Sequence, residues 1–444
     1  MPVFRTALAA KVKVINDLNI PHLIDANLEY LKRLLLEEVK LSSGCTEIAA
    51  VGYAVSQAKE MAVPPYKIKL YMDLDVFKNA AAVGVPNGGF GIIEGIRKAL
   101  LSKPSGLETL SNSEGIYEDK VDVEIVPIDL PYLFIYAVIN DGSALIAQRH
   151  DNLIYTGKPL DLKEAIEASK KEAETSLLNG IYDKTSKNVK LYYRDVVFYS
   201  EGLLSDAEII GLIEKAIKYN TSLSEENLSS DRFFGIARNM SSSSFEDRIV
   251  RFTSAAVEAR MGGSKISAMS VAGSGNQGII STLPIVAYSK EKGLDKASTY
   301  RAILLAWLTT IYSTAFTKYV SPVCGAGIKA GNGLAASFGF LFGNGSYDVI
   351  ESSIINNIAS VSGMLCDGAK PACALKAAVG VNSAYRSALL ASHGIRVSPL
   401  EGIAGKTLEE SLINLGEYVD KASQTINSTL VNIINKKLKT LSNM

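Results

Sequence analysis

The chain has 444 residues, 47% hydrophobic and 21% charged, with 46 Lys+Arg against 46 Asp+Glu and a mean hydropathy of +0.15. That length and apolar content can fill a large core without covalent staples, which excludes disorder, collagen-like repeats and a disulfide framework. The zero formal charge speaks against a nucleic acid as partner, and the four cysteines, Cys45, Cys324, Cys366 and Cys373, are too sparse for a secreted scaffold.

The first residues contain only a short apolar run (7–10) broken by Lys11 and Lys13, so no export signal is expected there. Leu28, Leu31, Leu35 and Val39 alternate with Glu29, Lys32, Arg33 and Glu37 at helical spacing, predicting an amphipathic helix over 26–40. Ser42-Ser43-Gly44 punctuates the chain, and a second helical pattern runs over 46–62, ahead of Pro64-Pro65. Strand-like runs follow at 67–74, 121–128, 133–139, 144–148 and 190–199, with helix-like stretches at 91–102 and 162–179. This predicts an α+β region built on an antiparallel sheet with helices on one face. From about residue 205 the pattern turns to Ala-, Gly- and Ser-rich helices, with 219–230, rich in Asn and Ser, read as a loop. Two domains are expected: 1–204, N-terminal helices plus the α+β region, and 205–444, mostly α-helical. The most hydrophobic stretch, 303–342, is interrupted by Lys318, Pro322 and Lys329, so no membrane association is expected and a cytoplasmic location is.

The cysteines share a local context. Cys45 precedes the helix 46–62, Cys324 opens a Gly- and Ala-rich helical stretch, Cys373 follows Pro371, and Cys366 lies just before the same loop. Helix N-termini favour negative charge, which predicts lowered thiol pKa values. Taken singly, each fits a small buried residue. Taken together, the spacing Cys324-x41-Cys366-x6-Cys373 points to three thiolates on a metal or an iron–sulfur cluster, although the paired knuckles usual for structural zinc are missing. His22, His150 and His393 are far from the cysteines along the chain, so histidine assistance is not expected.

Residues 273–278, GSGNQG, fit G-x-G-x-x-G, but the acids Glu291 and Asp295 fall in a charged turn and not at a strand end, which argues against a dinucleotide site. A loop holding a small anion with Ser274 and Asn276, or a structural turn, fits equally well. Lys78-Asn79, residues 85–89 and Arg260-Met261-Gly262-Gly263 are further polar, glycine-punctuated stretches, ordinarily turns.

The strings SGCTE (43–47), FKNAAAVGVPN (77–87), ARMGGSKISAMSVAGSGNQGI (259–279) and SGMLCDGAKPACALK (362–376), with the cysteine of PVCGAG (322–327), closely resemble L-cysteine desulfidase and its relatives. That family shares a superfamily with the alpha chain of iron–sulfur L-serine dehydratases. The resemblance spans about residues 30–420 and implies a [4Fe–4S] cluster on Cys324, Cys366 and Cys373 with one open iron, and Cys45 as proton acceptor. It implies β-elimination of L-cysteine to pyruvate, ammonia and hydrogen sulfide without pyridoxal phosphate. Two departures stand out: Ile48 follows SGCTE where the family commonly has proline, and the regulatory-type domain of many serine dehydratases has no counterpart, which favours the desulfidase branch. Lys78, Asn79, Ser274 and Asn276 are the candidates for binding the carboxylate or amine of a small amino-acid substrate. The alternatives are L-serine as substrate, a cluster-bearing protein without turnover, and a zinc or thiol protein without iron. No motif decides between a monomer and a homo-oligomer.

Overall fold

The computed structural model describes residues 21–172 and 176–442, so the expectation of no export signal lies outside the described residues. The helix Pro21–Glu38 leads into strand β1 (Val39–Ser42), then the helix Thr46–Lys59. The strands β2 (Lys67–Asp73), β3 (Asp122–Ile128), β4 (Phe134–Ile139), β5 (Gly142–Ala147) and β6 (Leu153–Gly157) form one sheet in the order β3-β2-β4-β5-β6. A small hairpin, β7 (Tyr182–Asp183) and β8 (Asn188–Val189), closes this half.

The sheet is mixed, not antiparallel throughout. Strand β3 runs parallel to β2, while β4, β5 and β6 pair antiparallel. The connection from β2 to β3 carries the helices Leu74–Ala80 and Ile92–Ala99, long enough for the crossover that a parallel pair needs. Helices also cover both faces, not one. On β4, Ile135, Ala137 and Ile139 join the main core, whereas Phe134 and Tyr136 face a second cluster with Ala165 of the helix Leu162–Lys171. The period-2 alternation of a strand with two apolar faces produces this split.

Two further expectations gave way to tertiary packing. Residues 190–199 look strand-like, yet Tyr193–Ser200 is a helix, with Tyr193, Val196, Val197 and Ser200 buried at helical spacing. Residues 219–230 are no loop but mostly the end of the helix Ala207–Ser229, because their polar side chains are used inward. Asn220 accepts from the Met269 amide at 3.0 Å and donates to the Gly278 carbonyl at 3.3 Å. Over 162–179 the helix stops at Lys171, and a 3-10 turn covers Leu177–Gly180.

After residue 205 the expected helices appear. The helix Phe245–Met261 is followed by β9 (Ala268–Val271) and the short helix Gly275–Ile280. The helices Lys296–Thr317, Lys329–Phe342, Tyr347–Val361 and Cys373–Ser392 pack in sequence and on one another, and Trp307 of the first is fully buried. The last helix, Leu408–Ser442, lies against Lys296–Thr317 and Tyr347–Val361, and reaches Leu74–Ala80 of the first half. Strand β9 pairs antiparallel with β1, from Val39↔Val271 to Ser42↔Ala268. The two halves are therefore joined by a ribbon, and one apolar core runs from Leu31 to Val431. Among the described residues no helix is long and apolar enough to cross a membrane.

The glycine loop after β9 explains why G-x-G-x-x-G occurs here. Its strand belongs to a two-stranded antiparallel ribbon and its helix has six residues, so the dinucleotide geometry is absent. A Cβ on Gly278 would lie 1.8 Å from the Met269 carbonyl oxygen, so this glycine lets the short helix pack on β9. Gly278→Ala is expected to cost about 1–3 kcal/mol or more by overpacking. By contrast Gly211→Ala, whose Cβ meets nothing within 4 Å, is expected to be neutral or to stabilise by about 0.4–1 kcal/mol. Urea unfolding of the two variants beside the parent checks the contrast.

Candidate active site

All four cysteines line a single cavity, and all are free thiols. The empty space there, counted together with its open mouth, is about 640 Å³. Cys45 is the residue before the helix Thr46–Lys59, in extended backbone (φ −69, ψ 137). Gly44 ahead of it is left-handed (φ +55), and Ser43 anchors the turn through its hydroxyl, which donates to the Leu107 carbonyl at 2.7 Å.

Cys324 and Cys366 are brought together by backbone. An isolated antiparallel bridge joins Val323 to Leu365. Beside it the Cys324 amide donates to the Met364 carbonyl at 2.7 Å and the Cys366 amide to the Pro322 carbonyl at 2.8 Å. Cys373 is the first residue of the helix Cys373–Ser392. Among the described residues no three His, Cys, Asp or Glu side chains converge on a point that one metal ion would occupy. Three unpaired thiols around one cavity offer an all-sulfur donor set of the kind that suits a zinc ion or an iron–sulfur cluster. They also lie close enough to repel as anions: burial first, then Cys366 and Cys373, push the Cys324 thiol up to about 12. A cationic group among them would relieve that repulsion.

The expectation that helix N-termini lower these thiols fails for Cys45, Cys324 and Cys373, because burial outweighs the dipole. Cys45 is raised well above its ordinary value by burial and then by the Glu47 carboxylate, with Arg260 opposing. Its Sγ donates to Glu47 Oε2 at 2.7 Å. Burial alone would raise Glu47 as well, but the neighbouring His150 imidazole and the Cys45 thiol bring it down to about 2. Glu47 Oε1 accepts from Asn79 Nδ2 at 2.7 Å and faces His150 Nε2 at 3.8 Å. Thus His150, set aside because of its distance along the sequence, belongs to this cluster.

Of the four candidate substrate-binding residues, three line the cavity and one does not. Asn79 links Glu47 to the Cys366 thiol, which approaches its Oδ1 at 3.7 Å. Ser274 lies at the wall with no side-chain cap to make, and Asn276 Oδ1 accepts from Arg260 NH1 at 3.0 Å. Lys78 is buried outside the lining, its ammonium held by Asp75 Oδ1 at 2.7 Å and Asn427 Oδ1 at 3.0 Å, so it ties the first half to the last helix.

Sequence reasoning passed over the cations that do face the cavity. Arg260, 2% exposed, bridges Asn276 and Thr46 Oγ1 (3.0 Å from NH2), and its Nε has no partner. Gly275 makes the room: a Cβ there would lie 2.3 Å from that Nε. Lys329, 1% exposed, donates to the Lys318 and Tyr319 carbonyls at 2.8 Å each, and burial pulls it down to about 8. Gln277 Oε1 is buried without a partner. The local signal for Arg260 was its position in ARMGG, two residues before the glycine pair. For Lys329 it was a lysine inside the most apolar stretch, 303–342, where Lys318 is the other.

The serine dehydratase alpha chain family profile matches residues 159–432. The L-cysteine desulfidase of Methanocaldococcus jannaschii is 32% identical over 421 residues, covering 92% of this chain and 98% of that protein. Proteins named UPF0597 from Clostridioides difficile (32% identical, 90% of this chain, 98% of that protein) and Caldanaerobacter subterraneus (31%, 92% and 98%) are similar over comparable lengths.

Because the Glu47 charge helps keep the proton on the Cys45 sulfur, Glu47→Gln is expected to raise the thiolate fraction and speed alkylation of Cys45 several-fold at pH 7. Peptide-resolved mass spectrometry after timed iodoacetamide treatment reads this directly. An unchanged or slower rate would show that Glu47 does not set the proton affinity of Cys45.

Proposed function

This chain belongs to the family that unites L-cysteine desulfidase with the serine dehydratase alpha chain, and on that basis we propose that it is a β-eliminating lyase converting L-cysteine to pyruvate, ammonia and hydrogen sulfide. The observation that carries the reading is the convergence of four cysteines from distant segments on one cavity walled by buried cations.

In this reading Arg260 and Lys329 receive the substrate carboxylate, the unpartnered Arg260 Nε being a ready donor. Gln277 Oε1, buried without a partner, and Ser274 at the cavity wall would receive the ammonium group. The Cys45 thiolate takes the α-proton. Burial and Glu47 raise its proton affinity, which makes the thiolate a stronger base than an exposed one. As the Cα–H bond breaks, its electron pair forms the Cα–Cβ double bond and hydrosulfide departs from Cβ. The aminoacrylate tautomerises and hydrolyses to pyruvate and ammonia. Cys324, Cys366 and Cys373 would hold a [4Fe–4S] cluster, which when bound supplies an open iron as a Lewis acid toward substrate oxygen or sulfur.

The family profile favours one second reading, the same elimination on L-serine with water leaving. Anaerobic purification with iron and acid-labile sulfide quantitation, followed by parallel assays of pyruvate and sulfide from both amino acids, tests the two. Higher kcat/KM on L-cysteine is expected; a preference for L-serine moves the assignment to the dehydratase. Cys45→Ser is expected to keep the cluster and lose roughly 10²–10⁴-fold in rate, while Cys324→Ser loses both cluster and turnover. Zinc without labile sulfide defeats the cluster, and full activity in Cys45→Ser removes Cys45 as the base.

A further inference from the structure

His150 is a buried side chain with no evident bond to justify its place. It is 2% exposed, lies in the turn after β5, and neither ring nitrogen has a hydrogen-bond partner. Leaving polar atoms buried and unpaired costs free energy, and a group kept for packing alone would more cheaply be apolar. Its position is between two cavities. On one side Nε2 faces Glu47 Oε1 at 3.8 Å, and Glu47 accepts from the Cys45 thiol at 2.7 Å. On the other side the ring lines a second, smaller cavity together with Glu37, Glu38, Lys40, Arg149 and Asp151. There Arg149 pairs with Glu37, Lys40 with Asp151, and Glu38 accepts from Tyr319. This side reaches water, since the Lys40 side chain is 39% exposed.

We propose that Glu47 and His150 form a proton-exit path that resets Cys45, carrying the abstracted α-proton from the active cavity to the second cavity and solvent. The inference rests on the lyase reading above. Each elimination leaves the α-proton on Cys45 Sγ. The S–H bond then breaks as an O–H bond forms on the Glu47 carboxylate, and that proton passes to Nε2 of His150 and on to water. Sulfur returns to thiolate, and one proton and one hydrosulfide leave per turnover with no change of oxidation state. Glu47 is held ionised, so it is a conduit, not a store. A small side-chain rotation would close the 3.8 Å gap. Glu47 touches the reacting sulfur; His150 acts through it as a positioning and relay residue.

Two variants and one spectrum test the path in the cluster-loaded protein. His150→Gln keeps a polar side chain of similar reach but cannot carry a proton through; it is expected to lower kcat roughly 10²-fold with little change in KM. His150→Gly is expected to lose as much and to be restored by added imidazole, which a merely structural role would not show. Full kcat in His150→Gln, or folded variants with no imidazole response, would overturn the path. A third readout needs neither cluster nor substrate. The chain has three histidines, so ¹⁵N-histidine NMR resolves each ring. Glu47→Gln, which removes the anion facing the ring at 3.8 Å, is expected to move the His150 ring nitrogen resonances at fixed pH while those of the other two histidines stay put. No shift would break the Glu47–His150 link. Absence of turnover on either amino acid by the parent enzyme would instead overturn the lyase reading, and the path with it.

Discussion

A guanidinium with almost no access to water holds this site together. Arg260 reaches from the end of the helix Phe245–Met261 to Thr46 at the start of the Cys45 helix and to Asn276 in the glycine loop. A buried cation is tolerated only where anions and oriented dipoles surround it. Glu47 and the cysteine sulfurs provide those, and Arg260 in turn opposes the rise of the Cys45 thiol. Gly275 has no side chain because the guanidinium occupies the space where one would be.

That constraint accounts for the way the halves are joined. Cys45 and Glu47 come from the first half, while Arg260, Ser274, Lys329 and the three remaining cysteines come from the second. The β1–β9 ribbon and the shared core bring these segments together. Beside the site Lys78, Asp75 and Asn427 make a second polar tie, from Leu74–Ala80 to the last helix. Lys78 is thereby committed to structure, although its neighbour Asn79 faces the site.

The legible features were those written in contiguous residues. Long strings such as SGMLCDGAKPACALK carry the family, and 3.6-residue periodicity marked the helices on either side of Cys45 and after residue 205. Local propensity misread Tyr193–Ser200 and the end of Ala207–Ser229, since in both a buried face and inward hydrogen bonds overrode composition. The direction of β3 was hidden as well: a strand's apolar pattern is the same whether its neighbour runs parallel or antiparallel.

From residues alone came the inventory: four thiols in helix-start contexts, an α+β half followed by a helical half, and kinship with a lyase family. Folding decided the electrostatics. Whether a thiol at a helix start is acidic depends on how deeply it is buried and which charges face it, and those are long-range facts. Cys45 lies two residues from Glu47 in sequence, but His150 and Arg260 reach the pair from more than a hundred residues away. Distance along a chain does not measure distance across a core, and only the packed structure could set that imidazole beside that carboxylate.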